Sequence, residues 1–381
     1  MDLFGYKRSD GRIGFRNHVL VLPLTGCQVE IARRIAWNVP GATCMGHLNG
    51  CDLSGPDGEL FGAILEHFAA HPNVGGVLFV AMGCAATLSL QLPRKTRETG
   101  RLVQVLDANT AGTHGTVEAG AQMVKEMVEQ LAAIERQPVS FEALTIGTKC
   151  GASDPNSYSH LHPVVGRACD MLVEKGATII LSEDCELVGA APDLAERAAT
   201  PEIAERILHM AERVNAGWKT RFGYSLEEVS LQSQSREEWS RSSLASAAKA
   251  GATPITGFFE MEDTVRGPGL VVLNATNSDL PCVTALAASG CNVTIFTTGR
   301  GTPVGSPVSI TLKVTATRKT AERMPENIDL SAADVVDGKE TLDEAAGRLV
   351  QTIVDAANGK PTCSEILRHW EVGIPIRGVT Y

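Results

Sequence analysis

Residues 143–163 read ALTIGTKCGASDPNSYSHLHP. The apolar run at 143–148 is typical of a buried strand, and a helical pattern begins near Val164, so this stretch predicts a strand, a loop and a helix. The loop holds a thiol, hydroxyls, a carboxylate and two imidazoles. Binding sites in α/β sheets form at the carboxyl ends of strands. The stretch therefore predicts a functional loop, or else a polar loop with a helix cap, because Ser153 and Asp154 are also common turn and cap residues.

Strand and helix patterns alternate on both sides of this stretch. Upstream, buried-type strands are predicted at 18–24, 42–45, 74–82 and 103–106. Downstream, strands are predicted at 177–181, 254–259, 270–273, 292–296 and 308–314. The alternation predicts an α/β fold with two Rossmann-like parallel-sheet lobes and helices on both faces. We expect a break at Gln137-Pro138, giving domains 1–138 and 139–381, with a polar insertion or lid at about 217–250.

The bulk composition excludes several classes of protein. A formal net charge of −10 argues against nucleic acid or an anionic membrane as a general partner. The first residues do not resemble a signal peptide, and no apolar run is long enough to span a bilayer. The ten cysteines form no CxxC pair. We therefore expect a cytoplasmic protein with reduced thiols.

Cysteine, histidine and acidic residues recur where the predicted strands end. Because these ends meet at one edge of each sheet, several of the side chains are expected to lie close together. Thiolate, imidazole and carboxylate groups are ligands of iron and zinc. The alternative is that the cysteines are small residues in tight corners. Both readings stay open for Cys27 and Cys51, whereas a site is favoured for Cys84 and Cys150.

The segment from Thr297 to Thr302 suits an anion. The hydroxyls of Thr297 and Thr298, free backbone N–H groups and the Arg300 guanidinium could together hold a carboxylate, phosphate or sulfonate. Gly299 and Gly301 would let such a ligand approach the backbone. The alternative is a glycine-rich turn with a surface arginine. The segment has neither GxxxxGK nor GxGxxG spacing, so no nucleotide is predicted.

Two histidines, His160 and His162, follow the loop after Asp154. A lone histidine in this position would usually be structural. The presence of two histidines favours the prediction that one of them acts as an acid or base, with a pKa suited to neutral pH.

Several of these motifs together resemble the altronate and galactarate dehydratase family, which includes sulfolactate sulfo-lyase. They are GYKRxDGRxGxRN at 5–17, KCGxSD at 149–154, LSE at 181–183, FTTGRGTPVGSP at 296–307 and MxxNID at 324–329. The resemblance runs nearly end to end. It implies β-elimination on a small hydroxy or sugar acid, assisted by a divalent metal, Fe²⁺ first and Mn²⁺ or Mg²⁺ next. It also implies a large subunit that pairs with a separate small SAF-domain subunit in a homo- or hetero-oligomer, because this chain starts directly at the GYKR motif.

The resemblance turns the candidate residues into a predicted site. Expected catalytic residues are Cys150, Ser153, Asp154, His162 and Glu183. Expected substrate-binding residues are Thr297, Thr298, Gly299, Arg300, Gly301 and His160. Expected metal ligands are His47, Cys84 and Cys150.

The sequence also departs from the family at the site. Asn49 stands where a second histidine is usual, Ala85 stands where a glutamate is usual, and a Gly-Gly-Leu-Thr-Thr stretch is missing before Gly251. Three hypotheses follow: a dehydratase, a sulfo-lyase that releases sulfite from a sulfolactate-like acid, or a catalytically silent member that binds a small acid.

Overall fold

The computed structural model describes residues 1–83 and 86–377, the side chains of 86–90 aside. Within these ranges the chain forms two parallel sheets, of four and seven strands, and a small antiparallel sheet of three. The α/β class with two parallel sheets is thus confirmed. None of the described helices is long and apolar enough to cross a membrane.

The amino-terminal half builds the four-stranded sheet, in the order β4-β3-β5-β6. Its strands are β3 (His18–Pro23), β4 (Ala42–Cys44), β5 (Val74–Ala81) and β6 (Leu102–Asp107). Its helices are α1 (Val29–Asn38), α2 (Gly55–Ala69), α3 (Ala86–Glu98) and α4 (Gly112–Ala132). Alternate residues of β3 and β5 face α2 on one side and α1 with α4 on the other, so both faces of this sheet are covered.

The carboxyl-terminal half builds the seven-stranded sheet, in the order β10-β11-β9-β8-β12-β13-β14. Its strands are β8 (Thr145–Gly151), β9 (Thr178–Leu181), β10 (Ile255–Glu260), β11 (Gly269–Asn274), β12 (Val293–Thr298), β13 (Ile310–Thr315) and β14 (Leu330–Ser331). One face packs against α5 (His162–Val173) and α14 (Leu342–Ala357), and the other against α11 (Asp279–Ala288). A short π-helix at Ser157–Leu161 leads into α5.

Residues 184–250, between β9 and β10, are mainly helical. They form α6 (Asp184–Leu187), α7 (Ala191–Glu196), α8 (Pro201–Phe222), α9 (Leu226–Ser230), α10 (Arg236–Ala247) and a 3₁₀ turn at Ala248–Ala250. Trp218 and Trp239 from this region join the main core, so the expected insertion packs against the sheet at several points.

The small antiparallel sheet was missed from the sequence. β1 (Leu3–Lys7) pairs with β2 (Ile13–Gly14) on one side and with β7 (Gln137–Val139) on the other. Pro138 was interpreted only as a break, although an edge strand tolerates proline because one side of it needs no donor. The strands are also too short for a clear alternation of apolar and polar residues.

The last helices are α12 (Arg318–Arg323), α13 (Ala333–Val336) and α15 (Cys363–Ile366). The segment after α15 connects the two halves: the Arg368 guanidinium donates to the backbone oxygen of Trp37 at 2.9 Å, and Gly373 N–H donates to the Thr284 hydroxyl at 3.1 Å.

Candidate active site

The predicted loop lies where the chain changes direction across the larger sheet. From β8 the chain proceeds to β9 on one side, whereas β12 lies on the other side of β8. Cys150 pairs with Thr297, and Gly151 with Thr298, at the carboxyl ends of these two strands. Ligands of open α/β sheets bind at such a switch point.

The turn after β8 and the turn after β12 are bonded to each other. Ala152, at φ +52°, presents its carbonyl oxygen to Gly299 N–H at 3.2 Å and to Arg300 N–H at 3.1 Å. Gly301 N–H donates to the Thr298 hydroxyl at 3.0 Å. The backbone donors expected to be free for an anion are therefore engaged within the protein. The Arg300 side chain is exposed and remains the accessible donor of the predicted anion segment.

Asp154 holds the loop in shape. Its Oδ1 accepts from the backbone and the hydroxyl of Ser157, both at 2.9 Å, and its Oδ2 accepts from the Thr317 hydroxyl. Burial alone would raise the pKa of Asp154, but these hydrogen bonds lower it. A Cβ at Gly299 would lie 2.4 Å from Asp154 Cγ, so glycine is required at this close approach.

A buried group of two lysines and one glutamate lies beside the loop. We call Lys149, Glu183 and Lys249 the charge cluster. The Lys149 ammonium contacts Glu183 Oε1, and Lys249 Nζ lies 2.8 Å from Glu183 Oε2. Glu183 Oε2 also accepts from Cys150 N–H at 3.1 Å. All three side chains are at most 1% exposed, so the charges are paired out of contact with water.

The pKa values of the charge cluster favour its ionised form. Burial would lower the pKa of both lysines, but Glu183 raises each above its ordinary value. Burial would likewise raise the pKa of Glu183, but Lys149 and Lys249 lower it. With two ammonium groups and one carboxylate, the cluster carries one net positive charge.

Glu183 adopts an unusual backbone conformation, with φ +81° and ψ +64° in the left-handed region. Such a conformation at a non-glycine residue costs about 1–3 kcal/mol and persists where the surroundings enforce it. Here the ion pairs with both lysines supply that constraint.

The charge cluster meets two less buried carboxylates at its edge. Asp279 Oδ1 lies 3.0 Å from Lys149 Nζ, and Glu186 Oε2 lies 3.6 Å from Lys249 Nζ. Glu186 also accepts from the Ser246 hydroxyl, and Asn277, with its NH₂ turned toward the carboxylates, lies 3.3 Å from Glu186 Oε1 and Glu183 Oε1. Burial and the neighbouring Glu183 raise the pKa of Glu186.

Cys150 and Ser153 are in contact through their sulfur and oxygen atoms. Burial, with the charges of Glu183 and Glu186, raises the pKa of Cys150 to about 12, so the group is a thiol at neutral pH. The Tyr158 hydroxyl bonds to Ser153, and burial raises its pKa to about 12. These groups form the polar side of the site facing Glu186.

The two predicted histidines differ in surroundings. His162 is fully buried, with Nδ1 2.9 Å from the Ala245 carbonyl oxygen and Nε2 3.2 Å from the Thr297 hydroxyl. Burial, aided by Lys249, lowers the pKa of His162 to about 4, so it is neutral at pH 7, with Nδ1–H as the donor to Ala245. His160 is half-buried, and its Nδ1 lies 2.7 Å from the Ser159 hydroxyl.

The predicted metal ligands do not form a cluster in the part of the chain that the structure describes. No group of three histidine, cysteine, aspartate or glutamate side chains in residues 1–83 and 86–377 is close enough to hold a metal. His47 is buried in the amino-terminal half, with Nε2 2.7 Å from the Pro23 carbonyl oxygen and Nδ1 without a hydrogen-bond partner. Cys84 lies outside the described residues, as does Ala85. The described side chains alone do not fit a metal ion.

Sequence reasoning named neither lysine of the charge cluster, nor Glu186, as a site residue. A signal was present for the lysines. Lys149 interrupts a strand of small and apolar residues, and Lys249 stands in the run Ala247-Ala248-Lys249-Ala250-Gly251. A lysine in such surroundings is rarely buried without a charged partner.

This fold and site define an α/β protein with a paired-charge centre at the switch point of its larger sheet. Residues 141–380 match the family described as D-galactarate/Altronate dehydratase, C-terminal. Residues 5–132 match D-galactarate dehydratase/Altronate hydrolase, second domain. The chain therefore belongs to the D-galactarate/altronate dehydratase family.

Characterised relatives agree with this assignment. The beta subunit of (2R)-sulfolactate sulfo-lyase from Chromohalobacter salexigens is 30% identical over 372 residues, covering 96% of this chain and 95% of the relative. Altronate dehydratases from Bacillus subtilis and Escherichia coli are 29% and 28% identical, covering 99% and 98% of this chain and 78% of each relative. The sulfo-lyase relative is one subunit of a multi-subunit enzyme. Because its family is that of the dehydratases and its relatives include two altronate dehydratases, the chain is a lyase of the dehydratase type.

Proposed function

We propose that this chain removes water from a small hydroxy or sugar acid by β-elimination at the carboxyl edge of its larger sheet. The observation that carries the proposal is the charge cluster, which lies beside the Cys150–Ser153 contact and is bordered by Glu186. Its two lysines hold buried ammonium groups at the end of β8, where they are paired with Glu183 and bordered by Asp279 and Glu186.

The chemistry of the reaction fits such a centre. Elimination begins with loss of the proton on the carbon next to a carboxylate, and negative charge then accumulates on that carboxylate. Ammonium groups held in fixed positions in a site of low dielectric stabilise this charge more than mobile water does. The exposed Arg300 offers a second cation for the acid group, with the fork geometry that suits carboxylates.

Sulfite is the second candidate leaving group. The sulfo-lyase relative is aligned over 95% of its own length, a larger share than either altronate dehydratase. The first step is the same for both reactions, because a proton next to a carboxylate is lost in each. The difference lies in the group on the neighbouring carbon.

We further propose that the working enzyme binds a divalent cation, Fe²⁺ ahead of Mn²⁺ or Mg²⁺, and includes a separate small SAF-domain subunit in an oligomer. Family resemblance supports the cation, which would polarise the substrate's oxygen atoms. The beta-subunit name of the sulfo-lyase relative supports the small subunit. Metal analysis of protein purified without chelator, and co-purification with the small subunit, test the two statements separately.

One experiment tests the reaction. The chain is purified with its small subunit and Fe²⁺, and D-altronate, D-galactarate and (2R)-sulfolactate are supplied in turn. Formation of a 2-keto acid without sulfite supports the dehydratase, and release of sulfite supports the sulfo-lyase. Turnover of none of them, together with measurable binding of one, supports the silent member instead.

A site variant locates the activity. Cys150→Ala removes the thiol that contacts Ser153, and Cys27→Ala, which removes an exposed thiol, is the matched control. Loss of turnover in the first variant alone, with both proteins folded, places the reaction at the end of β8. Equal activity of both variants argues that Cys150 has no catalytic role and favours a different site.

A further inference from the structure

We propose that Glu186 is the catalytic base that takes the proton from the carbon next to the substrate's carboxylate, an assignment that rests on the proposed elimination. The sequence pointed to His162 or to Glu183, which lies three residues before Glu186, as the acid–base candidate. The contacts of the carboxylates at this edge of the sheet separate their roles.

Both carboxylate oxygens of Glu183 are engaged within the charge cluster. Its side chain has no exposed area, its Oε1 contacts Lys149, and its Oε2 contacts Lys249 and the Cys150 N–H. A substrate carbon cannot reach either oxygen without breaking a buried ion pair. Glu183 is therefore a positioning residue, which holds two ammonium groups beside the end of β8.

The carboxylates of Asp154 and Asp279 are also engaged by other protein groups. Asp154 accepts hydrogen bonds from Ser157 and Thr317, and these fix the loop after β8. Asp279 is ion-paired with Lys149 at 3.0 Å, so its Oδ1 is already engaged.

Glu186 is accessible to a substrate and binds a proton more strongly than an ordinary carboxylate does. Its side chain is 21% exposed, so a substrate can reach it, and the Ser246 hydroxyl and Asn277 amide orient the carboxyl group. Burial and the charge of Glu183 raise its pKa, and the more distant Lys249 opposes the rise only in part. A carboxylate with a raised pKa is a stronger base and still ionises near neutral pH.

Other titratable groups also face Glu186. They are Glu183 from the turn after β9, Lys149 and Cys150 from β8, Tyr158 from the π-helix, Cys185 from α6 and Lys249 from the 3₁₀ turn. The thiols and the phenol have raised pKa values and are neutral at pH 7, so the lysines and Glu183 set the local field.

The elimination moves one proton to Glu186 and releases one molecule of water. The bond from carbon to hydrogen breaks, and the proton goes to a Glu186 carboxylate oxygen. The electron pair forms the carbon–carbon double bond, and the bond to the β-oxygen breaks. The departing oxygen takes one proton from solvent and leaves as water, and Glu186 then returns its proton to solvent. The enol product rearranges to the 2-keto acid.

The test compares Glu186→Gln, Ser246→Ala and the control Glu212→Gln in the assembled enzyme. Glu212 is an exposed glutamate on α8, with a side chain 78% exposed. Glu186→Gln is expected to lower kcat about 10²–10⁴-fold. Its Kd for the substrate, measured by calorimetry, should stay within about threefold, because only proton transfer is lost. Glu212→Gln should match the wild type in both quantities.

The pH profile separates a base from a structural residue. A base acts when deprotonated, so the wild-type kcat falls as the pH drops through the pKa of Glu186. Ser246 donates to this carboxylate and lowers its pKa, so Ser246→Ala should move that acid limb upward by about 0.5–1 pH unit.

The possible results of these measurements lead to different conclusions about Glu186 and about the elimination. Retention of more than about a tenth of kcat by Glu186→Gln, or an acid limb that Ser246→Ala leaves in place, overturns the base while the elimination itself stands. A wild-type enzyme that eliminates from none of the three acids overturns the reaction and the base together. A Glu186→Gln protein that melts at the wild-type temperature confirms that a loss of kcat is not a loss of fold.

Discussion

Neutralising Glu183 should destabilise the fold far more than removing an ordinary surface carboxylate. Glu183→Gln keeps the size of the side chain but leaves Lys149 and Lys249, each at most 1% exposed, without their shared partner. Asp279 remains 3.0 Å from Lys149, and Glu186 remains 3.6 Å from Lys249. Removing one partner of a buried ion pair lowers the free energy of unfolding by about 3–5 kcal/mol. For a domain of this size that corresponds to a melting temperature lower by roughly 6–20 °C.

Thermal unfolding followed by circular dichroism measures the change. The control is Asp343→Asn, which breaks the exposed ion pair between Arg167 and Asp343, whose atoms are 2.8 Å apart. An exposed pair contributes little, so this variant should melt at the wild-type temperature. A drop of less than about 2 °C for Glu183→Gln would show that the charge cluster is not a paired, desolvated centre.

The pH dependence gives a second signature of the same variant. In the wild type, the raised pKa values of the lysines and the lowered pKa of Glu183 keep all three groups ionised between pH 6 and 9, so the cluster adds no slope to stability. In Glu183→Gln, only Asp279 and Glu186 remain to offset the burial of the lysines, so the pKa of each lysine falls from its wild-type value. At a pH where a buried lysine loses its proton, the folded state binds fewer protons than the unfolded state. Its stability should therefore rise with pH, by up to about 1.4 kcal/mol per pH unit for each neutral lysine.

Other variants test single features of the site. Burial lowers the pKa of His162 to about 4, so its contribution to stability is lost as the pH falls from about 6.5, and His162→Gln should show a smaller loss of melting temperature between pH 6.5 and 4. Gly299→Ala places a Cβ 2.4 Å from Asp154 Cγ and should cost about 1–3 kcal/mol in urea unfolding, whereas an unchanged midpoint would mean that the loop relaxes freely. N-ethylmaleimide at pH 7.5 should modify exposed thiols long before Cys150, whose raised pKa and burial suppress the thiolate, and peptide mapping would detect the reverse order. Among the cysteines that the structure describes, the exposed ones are Cys27 and Cys51.

The pattern of strands and helices was sufficient to predict the two parallel sheets and the strand ends that meet at the edge of the larger one. Buried strands have strong apolar signatures, and the rule for strand ends then brings the loop after β8 to the end of β12. Periodicity cannot show which distant side chains meet. Lys249 comes from a region interpreted as a lid, one hundred residues beyond Lys149, and both contact Glu183 only through the tertiary fold.

The sequence also could not show which individual groups are buried or already hydrogen-bonded within the protein. The backbone donors of residues 297–302 were expected to be free, but the Ala152 carbonyl oxygen accepts from both Gly299 and Arg300, because its left-handed turn directs that oxygen toward β12. His162 was predicted to be an acid or base, and the structure places it in a fully buried position with both nitrogens engaged. Burial and hydrogen bonding decide such properties, and neither can be read from spacing.

The charge cluster also controls the group that borders it. The charge of Glu183 raises the pKa of Glu186, whereas that of Lys249 lowers it. Neutralising Glu183 removes the like charge and leaves Lys249 free to pair with Glu186, so the pKa of Glu186 should fall. At a temperature where Glu183→Gln is folded, the acid limb of its kcat profile should therefore move to lower pH, in the direction opposite to Ser246→Ala. If the limbs of both variants moved the same way, the field at Glu186 would not come from the charge cluster.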